Sequence, residues 1–152
     1  PEMLFSDVAT AFGRKFVATP TERSFLAQMI YYGKLLYLKD LWLPEMTDAD
    51  KIGFTPQEYD WAIENEYFIW QYFLTQEYLF STNSRLKNRF IDPAPYSKFN
   101  LELDNETPGM IGQWIGWQIV RQYMRNNPIS VTDLMKLPAQ ELYNGAQYKP
   151  AK

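Results

Sequence analysis

Two glutamates, Glu66 and Glu77, are the residues of this chain whose type and position best fit acid–base chemistry. Both fall on the apolar stripe of a predicted helix, and a pair of carboxylates can hydrolyse a glycosidic bond without histidine. Three helical turns separate them by about 16 Å, whereas glycosidases place their carboxylates roughly 5 to 10 Å apart. Either residue would need a further acid, such as Asp104 or Glu106. We therefore assign no catalytic residue and favour buried glutamates bonded to Tyr, Trp or Arg groups.

Histidine and cysteine are both absent from the chain. Without them the chain cannot form a Ser-His-Asp or Cys-His triad, a thiol nucleophile or an ordinary zinc site. The sequence therefore predicts no metal and no cofactor.

Charge is nearly balanced, with 15 basic and 18 acidic residues and a net charge of -3. The signs are interspersed, so the chain lacks the basic stripe typical of a nucleic-acid-binding surface. Charged residues also interrupt every apolar run before it is long enough to span a membrane. We expect no nucleic-acid partner and no membrane span.

One group of basic side chains could bind an anion or an acidic partner. Its members are Arg85, Lys87, Arg89 and Lys98, together with Arg121. The alternative, which we favour, is an ordinary solvated face.

The stretch 107–124 is predicted to be a buried helix that carries three glycines, Gly109, Gly112 and Gly116, on one face. Each interior glycine destabilises a helix by about 1 kcal/mol relative to alanine. These glycines are therefore expected to permit a close approach. Gly33, in the middle of another predicted helix, indicates a tight helix crossing, and the alternative is a ligand groove.

Large aromatic side chains flank this predicted helix. Trp114, Trp117 and Arg121 share the flank opposite the glycines. With Trp61 and Trp70, the tryptophans could line a groove for a sugar or peptide, but such residues more often lie in the core. A long proline-containing loop is predicted at 91–106. It supplies three further candidates for binding a partner or ligand: Tyr96, Lys98 and Phe99.

Apolar periodicity and capping residues predict helices at 2–16, 20–43, 46–53, 55–80, 84–90, 107–126, 130–137 and 138–144. Capping boxes are expected at Thr19 and Thr55, further caps at Thr47, Thr107-Pro108 and Ser130, and helix stops at Gly53 and Gly145. The first helix carries an apolar stripe at fourfold spacing, formed by Leu4, Val8, Phe12 and Phe16. The predicted fold is all-α, an irregular multi-helix bundle around a central glycine-rich helix. We expect a single domain over residues 1–152.

Several segments resemble the gliding-motility lipoprotein GldB family of Bacteroidota. They are MIYYGKLLYLKDLWLP (29–44), WAIENEYFIW (61–70), RFIDPAPYSKF (89–99), PGMIGQWIGWQIVRQYM (108–124) and YKP (148–150). The resemblance implies the C-terminal portion of a periplasm-facing lipoprotein of the cell envelope, whose lipid anchor lies upstream of this chain. It also implies envelope protein partners and no established enzymatic activity.

A more distant likeness is to zincin-type peptidases, in which two histidines on one helix and a glutamate on the next bind zinc. The glutamate would correspond to Tyr32, before Gly33, and the first helix offers no histidine. This likeness implies a zincin-like helical subdomain without its metal.

Three hypotheses for function follow. The leading one is a non-catalytic interaction or scaffold domain of an envelope lipoprotein associated with gliding motility or the linked secretion apparatus. The second is a carboxylate-only hydrolase that acts on cell-wall glycan, with Glu66 or Glu77 as its acid. The third is a small-ligand-binding module built from the glycine helix and the 96–99 loop.

Overall fold

The computed structural model describes residues 2–94 and 107–152. Throughout these ranges the regular elements are helices, which confirms the predicted all-α class. They are α1 (Glu2–Gly13), α2 (Phe25–Trp42), α3 (Asp48–Ile52), α4 (Pro56–Thr75), α5 (Ser84–Phe90), α6 (Ile111–Asn126), α7 (Val131–Lys136) and α8 (Ala139–Ala146). Among these helices, none combines the length and the apolar character that a membrane span requires.

Helices α2 and α6 form the central pair of the fold, and their backbones touch. A Cβ atom added to Gly116 would overlap the Met29 carbonyl oxygen, and one added to Gly33 would overlap the Gly116 carbonyl. Because no side chain stands between the two helices here, their main chains pack at closer range than ordinary helix pairs. The predicted tight crossing at Gly33 is confirmed, and Gly116 is its counterpart.

The other two glycines do not belong to that crossing. The helix begins at Ile111, because Met110 has left-handed backbone angles (φ 60°) and makes no side-chain cap. Gly109 therefore lies before α6 and packs on the Ala94 carbonyl, while a Cβ on Gly112 would lie 2.9 Å from the Phe90 carbonyl oxygen. The prediction of three glycines on one helical face, capped by Thr107-Pro108, is wrong. Close packing with three different segments leaves no continuous groove.

Helix α2 begins later than its sequence predicts. Ser24, not Thr19, is the N-cap, and its side chain accepts a hydrogen bond from the Ala27 amide at 3.1 Å. The Phe25 and Leu26 amides donate to the carbonyls of Ser81 (2.9 Å) and Leu79 (2.8 Å). These distant carbonyls satisfy the free N–H groups at the helix start, so the helix does not extend back to Pro20.

The two helix starts after α2 agree with the predictions. Thr47 caps α3, and Gly53 ends it with φ 82°. At Thr55 both halves of the capping box form, with the Glu58 amide donating to the Thr55 hydroxyl at 3.1 Å and the Thr55 amide donating to Glu58 at 2.9 Å. The Ser130 cap of α7 also forms.

Two predicted helix ends are wrong. Helix α4 stops at Thr75, not near Phe80, because Glu77 turns the chain with a left-handed φ of 57°. Gly145 lies inside α8, which Gln147 (φ 48°) ends instead. A Cβ on Gly145 would lie 2.6 Å from the Tyr123 ring, so this glycine serves the contact between α8 and α6.

Aromatic rings form the core between α2, α4 and α5. Phe25 and Phe73 stack edge to face at 5.1 Å between ring centroids, and Phe90 lies 5.1 Å from Phe73. All three are fully buried. Such ring pairs add about 0.5 to 1.5 kcal/mol beyond the area they bury. The high aromatic content is therefore used mainly for packing.

Candidate interaction surface

The apolar stripe of α1 faces solvent and not the core. Leu4 is 64% exposed, Phe12 53% and Phe16, just after the helix, 53%; Val8 is exposed as well. The buried side of the helix consists instead of the small residues Ser6, Ala9 and Gly13, which let it lie close to α2. An amphipathic helix normally turns such a stripe toward its own core. This stripe lacks that cover in the described chain.

The aromatic end of this stripe continues onto α2. Phe12 and Phe16 lie 5.7 Å apart, and Trp42 contacts both rings edge-on at 6.1 and 6.0 Å. We define the α1 face as the exposed apolar side chains Leu4, Phe5, Val8, Phe12, Phe16 and Trp42. Monomeric proteins rarely expose contiguous apolar patches larger than a few hundred Å². Exposed apolar surfaces of this kind are typical of interaction sites.

Buried polar bonds fix α1 beneath its exposed face. The Lys39 ammonium donates to the Ser6 hydroxyl and to the Lys51 carbonyl, both at 2.8 Å, and Ser6 donates to the same carbonyl at 3.1 Å. Burial lowers the pKa of Lys39 to about 8, and Asp7 partly opposes that shift. Because these bonds join α1 to both α2 and α3, the α1 face is presented on a firmly held helix.

Next to this region, Arg121 joins α6 to α2 and α3. Its guanidinium makes two hydrogen bonds to Asp40, both at 2.8 Å, and two to Asp48, both at 3.0 Å. Lys51 adds an ion pair to Asp40 at 3.1 Å. We call these four side chains the Arg121 network. Its two positive and two negative charges balance. Arg121 therefore lies neither in an anion-binding cluster nor on the solvated face that we favoured, and both predictions are wrong for this residue.

The Arg121 network is held over an indole ring. The Arg121 guanidinium lies 3.8 Å from the centre of the Trp117 ring, whose N–H donates to Asp40 at 3.0 Å. Burial alone would raise the pKa of Asp48, but the hydrogen bonds and charge of Arg121 outweigh it and lower that pKa. The pKa of Arg121 is raised, since its bonds to Asp40 and Asp48 outweigh burial. Asp40 and Asp48 are thus both bound to Arg121, which indicates that the Arg121 network has a structural role.

The tryptophan flank of α6 does not form a binding groove. Trp114 and Trp117 are both buried, so the predicted core role is confirmed for these two residues.

In the predicted basic cluster, Arg89 donates to the Tyr78 hydroxyl at 3.0 Å and stacks on Phe90, while Lys87 pairs with Asp92. These partners leave no shared anion site among them. Lys98 falls outside the described residues, as do Tyr96 and Phe99.

Glu66 and Glu77 have different surroundings. Glu77 is exposed beyond the end of α4, so the prediction of a buried glutamate on the apolar stripe is wrong at this position. Glu66 is partly buried beside the Tyr148 hydroxyl, and burial raises its pKa despite the opposing effects of Tyr148 and Arg125. Within the described residues the Tyr148 hydroxyl makes no hydrogen bond, so a bond between Glu66 and a tyrosine stays a prediction. The prediction that both glutamates share one apolar stripe is wrong.

The raised pKa of Glu66 makes a Glu66→Gln variant informative. A carboxyl group whose pKa is higher in the folded state stabilises the fold below its unfolded pKa and loses that contribution as pH rises through its folded pKa. We therefore expect the variant to be more stable than the wild type at pH 7, with the difference disappearing near pH 4. Urea unfolding at both pH values measures this. The exposed neighbour Glu64, changed to Gln, is the surface control. An E66Q protein less stable than the wild type at pH 7 would contradict the prediction.

Several residues of this region were missed by reasoning from sequence. They are Asp40 and Asp48, which hold Arg121, and the buried lysines Lys34 and Lys39. The available signal was that both lysines interrupt the wide apolar surface of a predicted helix. Over the described ranges, no three Asp or Glu side chains come together in a group that could hold a metal ion.

Comparison with known proteins adds one match. The family model described as "Gliding motility protein GldB" matches residues 1–150. No curated protein and no solved structure matches the chain, so the likeness to zincin-type peptidases stays a prediction. The family match covers nearly the whole chain. The chain therefore belongs to the GldB family of gliding-motility lipoproteins of the cell envelope.

Proposed function

We propose that this chain is a single, non-catalytic interaction domain, and that the α1 face binds an envelope protein partner on the periplasmic side. The observation that carries the proposal is the exposed row of apolar side chains on a helix whose inner side is locked by buried hydrogen bonds. An apolar surface that is already held in place loses little conformational entropy when a partner covers it. A rigid apolar surface of this kind therefore favours binding to a protein partner.

The size and chemistry of the α1 face fit a protein partner. Three of its side chains are aromatic rings in mutual contact, and aromatic clusters dominate the energetics of protein interfaces. All six side chains of the face are between 41% and 64% exposed, so a partner that covered them would remove apolar surface from water on both proteins. Lys15, whose ammonium lies 5.8 Å from the Phe12 ring, supplies polar character at the rim.

Nothing in the described residues favours the hydrolase hypothesis. Glu66 lies on α4 beside Tyr148, Glu77 lies past the end of α4, and two further acids, Asp40 and Asp48, are bound by Arg121. The small-ligand hypothesis loses its glycine groove, since each of these glycines packs on backbone or side-chain atoms. The interaction hypothesis requires neither a free acid nor a groove.

A triple variant, Phe12→Ser, Phe16→Ser and Trp42→Ser, tests the proposal in cells that express the full-length protein. We expect normal accumulation of the protein, loss of gliding, and loss of a photocrosslink formed by a benzophenone side chain placed at Val8. The three rings are half exposed, so the variant should change the free energy of unfolding by about 1 to 2 kcal/mol.

Phe68→Ser is the matched control for this experiment. Phe68 is an equally exposed phenylalanine on α4, so its removal lowers surface apolarity without touching the α1 face. Gliding and the crosslink should both persist in this control. Retention of both in the triple variant would show that the α1 face is not the docking site.

A further inference from the structure

A small cavity opens where the chain before α2 passes the junction between α7 and α8. Its volume is about 190 Å³, larger than the roughly 150 Å³ cavity that can hold a benzene molecule. One wall is α2, with Ile30, Tyr31 and Lys34, and the opposite wall is the turn Leu137-Pro138-Ala139. Most of this lining is apolar, so the cavity would accept a small molecule with an apolar body.

Lys34 lies in this wall without an acidic partner. Its side chain is buried, with the residue only 5% exposed, and its ammonium donates to the Leu137 carbonyl at 2.6 Å. An ammonium group has three donors, and the Leu137 carbonyl is the acceptor that the described chain provides for them. A buried charge is strongly unfavourable unless it is paired. Accordingly, burial lowers the pKa of Lys34 to about 8.

Two other lysines are buried in the described ranges, Lys39 and Lys51, and they differ from Lys34 in having acidic neighbours. Lys51 forms ion pairs with Asp40 and Asp48. Lys39 has two oxygen acceptors, and the charge of Asp7 favours its protonated form. Lys34 alone among the three combines burial, one acceptor and a neighbouring cavity. This difference indicates that an anion from outside the chain completes its surroundings.

A second feature of the same cavity points to an anion. Helix α8 begins here, and its N-cap, Pro138, offers no side chain to accept from the first amides of the helix. Uncapped amides at a helix start carry partial positive charge and bind carboxylates and phosphates. Lys136 at the rim adds a further positive charge, against the single acid Glu22. The walls of the cavity are therefore mostly apolar, and its positive charge is concentrated near Lys34 and the start of α8.

We infer that this cavity binds a small organic monocarboxylate, whose anionic group is held between the Lys34 ammonium and the uncapped start of α8 while its apolar body contacts Ile30 and Tyr31. A carboxylate suits this site because it accepts from both kinds of donor in one plane. The limited volume restricts the ligand to roughly the size of benzoate or hexanoate. This site and the proposed docking face both include residues of α2, but they share no residue.

Titration of the full chain with benzoate, followed by amide chemical shifts, tests the inference. We expect saturable shifts at Tyr31 and Ala139, and at least tenfold weaker binding of benzamide, which has the same shape without the charge. Binding also raises the unfolding temperature, because only the folded state holds the ligand. Equal binding of benzamide, or shifts that do not saturate, would overturn the inference.

The variant Lys34→Met removes the charge and keeps the length of the side chain. We expect benzoate affinity to fall at least tenfold, whereas the exposed Lys149→Met control binds as the wild type does. Unchanged benzoate affinity in K34M would also refute the site. Should K34M not fold, Lys34→Arg is used instead. It retains the charge, and the inference requires it to keep a preference for benzoate over benzamide.

Discussion

A Gly116→Ala substitution is expected to destabilise the protein by about 3 kcal/mol or more, although alanine is the better helix former by about 1 kcal/mol. The new methyl group would overlap the Met29 carbonyl oxygen and adjoining backbone atoms of α2. Backbone cannot rotate away as a side chain can, so the two central helices would have to move apart. Urea unfolding followed by circular dichroism measures the change.

Gly13→Ala is the matched control for this substitution. A Cβ atom on Gly13 would lie 3.1 Å from a methyl carbon of Leu38 and 3.2 Å from one of Leu35. Both neighbours are ends of flexible side chains that can adjust by a few tenths of an ångström. We expect a change within about 1 kcal/mol, since improved helix propensity offsets mild crowding. Similar losses of stability in the two variants would contradict the backbone contact at Gly116.

An Arg121→Met substitution is expected to destabilise the protein by about 2 to 4 kcal/mol at pH 7. It leaves Asp40 and Asp48 partly buried with Lys51 as their remaining cation, and removing one partner of a buried ion pair commonly costs about 3 to 5 kcal/mol. The network is partly exposed, which reduces the effect. Arg121→Lys should fall between the two proteins, because lysine cannot make the paired bonds to both acids.

The pH dependence of this variant distinguishes charge from packing. The pKa of Asp48 is lowered in the folded protein, so its contribution is present above its unfolded pKa and is lost as pH falls through the folded pKa. Arg121→Met should therefore differ most from the wild type near neutral pH and least near pH 2. Adding Asp40→Asn should restore part of the stability at pH 7. An equal deficit at both pH values would assign the effect to lost packing on Trp117.

Local patterns in the chain were sufficient for the helices whose ends are set by adjacent residues. Thr55 and Glu58 bond to each other across one turn, and Thr47 and Gly53 bracket α3, so neighbouring side chains alone determine these boundaries. At α2 the first amides bond to Leu79 and Ser81, which are more than fifty residues away. The residues around Thr19 do not show that these distant carbonyls bond to the start of α2. For that reason the local pattern predicts Thr19 as the cap instead of Ser24.

The candidate site was predicted only in part, because sequence periodicity identifies an apolar face without identifying what covers it. The row Leu4, Val8 and Phe12 was visible in the sequence, but its exposure depends on α1 packing through Ser6 and Ala9 instead. The basic residue Arg121 was visible too, yet its two acidic partners come from other helices. In each case the sequence gives the type of the side chain, but it does not give the residues that surround that side chain in the folded protein.

The sequence by itself determined the all-α class, the family, the absence of histidine and cysteine chemistry, and the tight crossing at Gly33, since composition and small residues within helices are local properties. Tertiary structure decided which helix each glycine touches, that Arg121 is neutralised, and that the α1 face is open to solvent. These outcomes depend on contacts between segments far apart in the chain. Whether a side chain is buried or paired with an opposite charge depends on these long-range contacts, so it cannot be read from one segment of the sequence.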